Sequence, residues 1–350
     1  MLYRTKNPHG GDVYENDIIL DYSANTNPFG TPEGVLEAIR QALPRVHQYP
    51  DPYCRELVKA LSEAEGVPDS YLLCGNGAAE LIYAYCEALK PTLAMELAPT
   101  FSEYALGLQR VGCRVERYAL REAADFALDA GLLEALEAQR PQVLFLCSPN
   151  NPTGQLIPQA LLREILQRCA DIGTRVFLDE CFMDLADEDR SVKAWLGEFP
   201  NLLILKAFTK SYGMAGMRLG YCMSADSGLL GGMAKATQPW NVSTLAQTAG
   251  VAALRETEFL KKTRALIPVE REWLRSELTK CGMKVCPSSV NYLLFRGPVA
   301  LLSALREQGI AIRNCDNYEG LGAGWYRIAV RRREENEQLI AAVRRVCGKE

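Results

Sequence analysis

Lys210 follows the apolar run 202–207 and precedes Arg218 by eight residues, with Gly213, Ala215 and Gly216 between them. A lysine held at a strand end in a partly dry site can lose its proton and condense with an aldehyde to form a Schiff base. An arginine at that distance can grip a phosphate through two parallel hydrogen bonds. Alone, the pair also reads as a surface lysine followed by a structural arginine, so other segments have to decide.

Three do. Gly75-Asn76-Gly77-Ala78-Ala79-Glu80 opens a helical stretch, and the backbone N–H groups of Gly77 and Ala78 with the helix dipole could hold a phosphate; a generic strand-to-helix turn has the same composition. Tyr104, in the next helical segment, is a candidate to stack on an aromatic ring or a half-buried core tyrosine. Ser148-Pro149-Asn150-Asn151-Pro152-Thr153-Gly154 closes an apolar run with a rigid polar turn that presents the Asn151 amide. Asp179 ends a further apolar run, where an unpaired carboxylate is costly and calls for a cation. A pyridinium N–H is such a cation, and a carboxylate beside it makes the ring an electron sink for a carbanion. Aldehyde, phosphate and pyridinium are the parts of pyridoxal 5'-phosphate (PLP).

The elements that must position these residues are legible as alternating patterns. Strand-like apolar runs occupy 93–97, 114–118, 143–147, 176–179, 202–207 and 218–223, and helical periods occupy 78–89, 101–111, 130–138, 158–172 and 226–237. Continuous rather than alternating apolar runs predict strands buried on both faces of a mainly parallel α/β sheet. Ligands of such sheets collect at the carboxyl ends of the strands, where the polar motifs cluster. A long helical pattern over 243–278, interrupted at Pro268, leads to short strands and helices between 291 and 346 that predict a small α+β lobe. The first forty or so residues, broken by Pro28, Gly30 and Pro32, are expected to join that lobe. The predicted division is a large domain at 44–265 and a small one made of 1–43 and 266–350.

The 350 residues include 48% hydrophobic and 23% charged types, with net charge -4 and pI near 5.6, which gives no basic surface for nucleic acid. The beginning of the chain has no signal-peptide core and no stretch approaches a membrane span, so the chain reads as soluble and cytoplasmic. Twelve cysteines scattered through apolar runs read as buried reduced thiols. Two histidines and no paired-cysteine spacing argue against a zinc site.

The order of phosphate turn, aromatic, Asn-Pro-Thr-Gly, strand-end aspartate, lysine and arginine resembles the fold-type I PLP enzymes of the aminotransferase class I/II group over nearly the whole chain. The resemblance implies a large domain with a mainly parallel seven-stranded sheet beside a small α+β domain. It further implies a Schiff base on Lys210, Asp179 on the ring nitrogen, Asn151 on the ring hydroxyl and Tyr104 on the ring face. The phosphate would be held by Gly77, Ala78, Thr209 and Arg218. Tyr49 would reach the cofactor of a neighbouring subunit, so a homodimer is implied. Two departures stand out: Phe182 occupies the place of a frequent tyrosine, and Ala207 that of a frequent phosphate-binding serine.

Within that group the chain is similar to the threonine-phosphate decarboxylases of cobalamin biosynthesis, with histidinol-phosphate aminotransferases close by. The likeness lies in His9-Gly10-Gly11-Asp12, in 21–30, in Asp179-Glu180-Cys181-Phe182, and in 312–321 with 326–331. A substrate bearing both a carboxylate and a phosphate needs more than one fixed cation, and Arg313 and Arg327, fourteen residues apart at strand-like positions, are the expected clamps. Each also reads as a structural arginine. His9 on a glycine-flanked arm could close over the substrate phosphate, and Asn27 is a candidate for the same pocket. The implied reaction exchanges the Lys210 Schiff base for the amine of L-threonine O-3-phosphate, releases CO2 and reprotonates Cα. Transamination of histidinol phosphate, decarboxylation of serine phosphate, and a non-catalytic sensor fused to a DNA-binding domain are the rivals; the last conflicts with a fold pattern beginning within the first 30 residues.

Overall fold

The computed structural model describes residues 9–14, 17–188 and 190–348; residues 1–8 of the expected amino-terminal arm lie outside that set. After a two-residue strand β1 (Leu20–Asp21), seven strands form one sheet: β2 (Leu72–Gly75), β3 (Leu93–Ala98), β4 (Arg114–Ala119), β5 (Val143–Cys147), β6 (Arg175–Asp179), β7 (Leu202–Ala207) and β8 (Gly220–Met223). Their spatial order is β2-β8-β7-β6-β5-β3-β4, and β8 alone among them runs against its neighbours. β5 and β7 are buried from end to end, as an apolar run covered by helices on both faces requires. β4 departs from that expectation. It is the edge strand, none of its six residues is buried, and arginine, glutamate and tyrosine blunt an edge that would otherwise template pairing.

The helices follow from spacing. In Gln159–Ile172 the buried residues Leu162, Ile165, Leu166 and Cys169 form one stripe against the sheet. Asp226 and Ser243 cap the helices Ser227–Ala236 and Thr244–Ala253, their side chains accepting from the N–H groups of Leu229 and Ala246. The expected interruption at Pro268 is misplaced. The break falls at 254–256, and Pro268 lies within a continuous helix Thr257–Lys280. The buried faces on both sides of Pro268, including Ile267, Glu270 and Leu274, hold that helix together although one N–H donor is missing.

A second sheet contains β9 (Lys284–Val285), β10 (Tyr292–Arg296), β12 (Arg313–Asn314) and β13 (Trp325–Ala329) in the order β12-β13-β10-β9, all antiparallel. Its cluster of buried residues runs from Tyr22 through Phe295 and Ile328 to Val343. β1 pairs in parallel with β11 (Ile310–Ala311), so residues 20–21 belong beside this sheet, whereas the helix Glu33–Ala42 packs on Thr244–Ala253. Eleven of the twelve cysteines are buried. Among the described residues no helix is long and apolar enough to cross a membrane.

Candidate active site

Between β5 and β3 the chain order of the large sheet reverses, and the carboxyl ends of β5, β6 and β7 open there into a cavity of about 460 Å³. Asp179 is the last residue of β6 and is 5% exposed. Burial pushes its carboxyl up, while the Cys181 N–H (2.8 Å) and the Tyr104 hydroxyl (2.6 Å), both donating to it, pull it back. Lys210 lies in the single helical turn Phe208–Ser211 directly after β7, with its ammonium 5.5 Å from the centre of the Phe182 ring. Burial first, then the nearby cations Arg327 and Arg218, bring its pKa down to about 8. A lysine so placed carries a large neutral fraction near physiological pH, as a nucleophilic amine requires.

The start of the helix Ala78–Leu89 forms a cradle. Gly77 has φ +79°, and a Cβ there would lie 2.6 Å from the Arg218 guanidinium, so this backbone can approach an anion only without a side chain. Ala78, Thr209 and Arg218 line the same cavity. Opposite them stand Asn151, Arg313 and Arg327, brought from the small sheet and the β5 turn. Arg327 donates to Asn151 Oδ1 and, at 2.9 Å, to the Ser23 carbonyl; Arg313 donates to the Asn314 carbonyl and, at 2.8 Å, to Asn317 Oδ1. Both guanidinium groups border the cavity although each residue is less than 10% exposed.

The family pattern described as aminotransferase class I and II matches residues 17–343. The chain belongs to that family. It is 37% identical to the threonine-phosphate decarboxylase of Salmonella typhimurium over 97% of this chain and 96% of that one. Its fold matches the histidinol-phosphate aminotransferase of Clostridium acetobutylicum with a TM-score of 0.88, 26% identity and coverage of 95% and 100%. The Sinorhizobium meliloti histidinol-phosphate aminotransferase, solved in complex with pyridoxal-5'-phosphate, superposes with a TM-score of 0.83 at 23% identity, covering 95% of this chain and 91% of that one.

In this member of the family two expected site residues, Tyr104 and Asn27, stand elsewhere. Tyr104 is fully buried beneath the cavity, stacked on Phe145 at 5.2 Å, and its hydroxyl holds Asp179; the aromatic side chain at the cavity wall is Phe101. Helix phase explains the exchange. Tyr104 faces the sheet from the helix Glu103–Arg110, whereas Phe101 precedes that helix and stays at the opening. Asn27 lies behind the lysine rather than in the cavity: its amide donates to the Ser211 carbonyl (2.8 Å) and Thr263 Oγ1 (2.9 Å), and its backbone N–H to the Lys210 carbonyl (3.0 Å). Tyr49 is 79% exposed and stacks on Trp240 at 4.7 Å, away from this chain's cavity. His9 does border it, 2.6 Å from Glu103. Sequence reasoning passed over Phe101, Glu103, Ser23 and Tyr318; only Ser23 and Tyr318, inside stretches already noted for resemblance, carried a signal.

Proposed function

We propose that the chain is a PLP-dependent decarboxylase converting L-threonine O-3-phosphate to (R)-1-aminopropan-2-yl phosphate and CO2, in cobalamin (corrinoid) biosynthesis. The observation that carries this reading is one cavity joining a lysine of lowered pKa, a buried aspartate and the cations of Arg313 and Arg327. The 37% identity to a threonine-phosphate decarboxylase along both chains supports the substrate.

The residues present suit PLP. Gly77 leaves a space that a Cβ would fill, and Asp179 is a buried carboxylate whose charge a pyridinium would offset. The amides of Gly77 and Ala78, with Thr209 and Arg218, would take its phosphate; Asp179 its ring nitrogen; Asn151 its ring hydroxyl; Lys210 its aldehyde. When bound, the cofactor supplies an aldehyde that condenses with amines and a ring that accepts an electron pair. Tyr104 and the Cys181 N–H fix the plane of the Asp179 carboxylate. Arg327 would hold the substrate carboxylate, and Arg313 with His9 the phosphate, so that these cations orient the bond from Cα to the carboxyl carbon for cleavage. Lys210 would deliver the proton that replaces CO2 on Cα. Phe182 presents no hydroxyl to the ring, so donors there are fewer than with tyrosine.

The same reading assigns residues 44–265 to the cofactor domain and 1–43 with 266–350 to the small domain, and places the enzyme in the cytoplasm, a reading the scattered buried cysteines support. It also makes the protein a homodimer in which Tyr49, exposed beside Trp240, reaches the partner site. The deciding experiment incubates the PLP-loaded protein with L-threonine O-3-phosphate and measures CO2 and amine. Equal amounts of CO2 and aminopropanol phosphate are expected. Pyridoxamine phosphate without CO2 would make the protein an aminotransferase.

A further inference from the structure

The amino-terminal arm is tied across the cavity at two points. His9 Nε2 lies 2.6 Å from Glu103 Oε1, and the His9 ring packs on Phe101 at 5.7 Å between centres. The second oxygen of Glu103 accepts from the Tyr83 hydroxyl at 2.6 Å, and Arg110 covers the Tyr83 ring at 4.2 Å. Two residues on, the Gly11 N–H donates to Ser23 Oγ at 2.7 Å; a Cβ on Gly10 would lie 2.5 Å from the Ser23 carbonyl, so the arm rests directly on that peptide. The Ser23 carbonyl is also an acceptor of Arg327, which links the seat of the arm to a cavity cation.

Glu103 needs an explanation in this place. Its side chain is only 12% exposed and borders a cavity that Lys210, Arg218, Arg313 and Arg327 line with one other carboxylate, Asp179. An unmatched carboxylate here would repel an anionic substrate. Its contact with His9, more than the Tyr83 hydroxyl, holds its carboxyl below the usual range, so a carboxylate backs the imidazole at this edge of the cavity.

We propose that Glu103 is a positioning residue: it latches the arm and holds the His9 imidazole toward the phosphate of a phosphorylated amino acid. This rests on the proposed substrate class and adds the group that makes the phosphate subsite. Glu103 touches His9, and only His9 would touch the substrate.

The test uses PLP-loaded protein and compares wild type with Glu103→Gln, which keeps the shape and removes the charge. Affinity for L-threonine O-3-phosphate, read from the cofactor's visible absorbance, is expected to fall about tenfold, whereas that for L-threonine changes less than twofold, since a charge-assisted hydrogen bond is lost only with the phosphate. Hydrogen exchange at the Gly11 amide is expected to accelerate. In a His9→Ala background the further effect of Glu103→Gln should vanish. Equal losses for both ligands, or no loss, would overturn the latch. If Glu103→Gln does not fold, His9→Ala alone decides, with the same selective tenfold loss expected and its absence overturning the proposal. A wild type that binds the phosphorylated ligand selectively but releases no CO2 would remove the decarboxylase reading and leave the latch standing.

Discussion

Lys206 and Lys210 are four residues apart, one on β7 and the other in the turn after it, and they have opposite electrostatic fates. Lys206 is buried among carboxylates, with Asp184 at 2.8 Å and Glu65 at 3.1 Å; burial opposes its charge, yet these partners hold its pKa well above the ordinary value. Glu65 answers in kind. Burial works against its charge, but Lys206, Lys193 and the Tyr221 hydroxyl bring its carboxyl down to about 2. Lys210 instead faces arginines, and burial first, then Arg327 and Arg218, bring its pKa down to about 8. One residue type thus becomes a structural cation or a reactive amine according to the sign of the charge that tertiary packing places beside it. The two are also mechanically joined, since Asp184 accepts from the Ser211 hydroxyl at 2.8 Å and so steadies the turn that carries Lys210.

Substitution separates them most widely. Lys210→Ala should lower turnover by roughly 10⁴-fold or more and abolish visible absorbance of the bound cofactor, while the thermal midpoint stays near wild type. Lys206→Met should do the reverse, with denaturant unfolding showing a loss of about 3–5 kcal/mol because Asp184 and Glu65 are left buried without their cation. A wild-type thermal midpoint in Lys206→Met would break the contrast. Amine labelling of cofactor-free protein is expected to modify Lys210 with a midpoint near pH 8 and at pH 7 to outpace Lys206 by on the order of a hundredfold.

Smaller effects sharpen the same comparison through pH. Glu65 has a folded pKa of about 2, below its unfolded value of about 4.5. Its contribution to stability is therefore present above pH 4.5 and lost as pH falls toward 2; Lys206→Met should flatten that acid limb in a series of unfolding measurements. Lys210 behaves oppositely. Its folded pKa is depressed, so the native state carries a penalty that is full below about pH 8 and fades as pH rises toward the ordinary lysine value. Arg327→Met should raise the labelling midpoint of Lys210, and an unmoved midpoint would assign the depression to burial alone.

Much of the large sheet was legible because β5 is an uninterrupted apolar run and β7 is one broken only by Lys206, and such runs are stable only between two layers of helix. β4 has strand length but carries Arg114, Glu116 and Arg117, and its place at an edge of the sheet explains these charges. Pro268 misled because a local donor loss was weighed without the packing on both sides of it. At the site, Lys210 and Asp179 could be read from strand ends, whereas Tyr104 and Phe101 differ in the phase of one helix start, which residue types do not specify.

The amino-acid sequence by itself determined the alternation of strands and helices and which residue types sit at the strand ends, because hydrophobic period and turn chemistry are local. Tertiary structure decided which of those residues share a cavity. His9, Arg313 and Arg327 converge on Lys210 from both ends of the chain, and Asn27 ends behind the lysine rather than before it, because contacts so distant in sequence depend on how the sheets and the small lobe pack together.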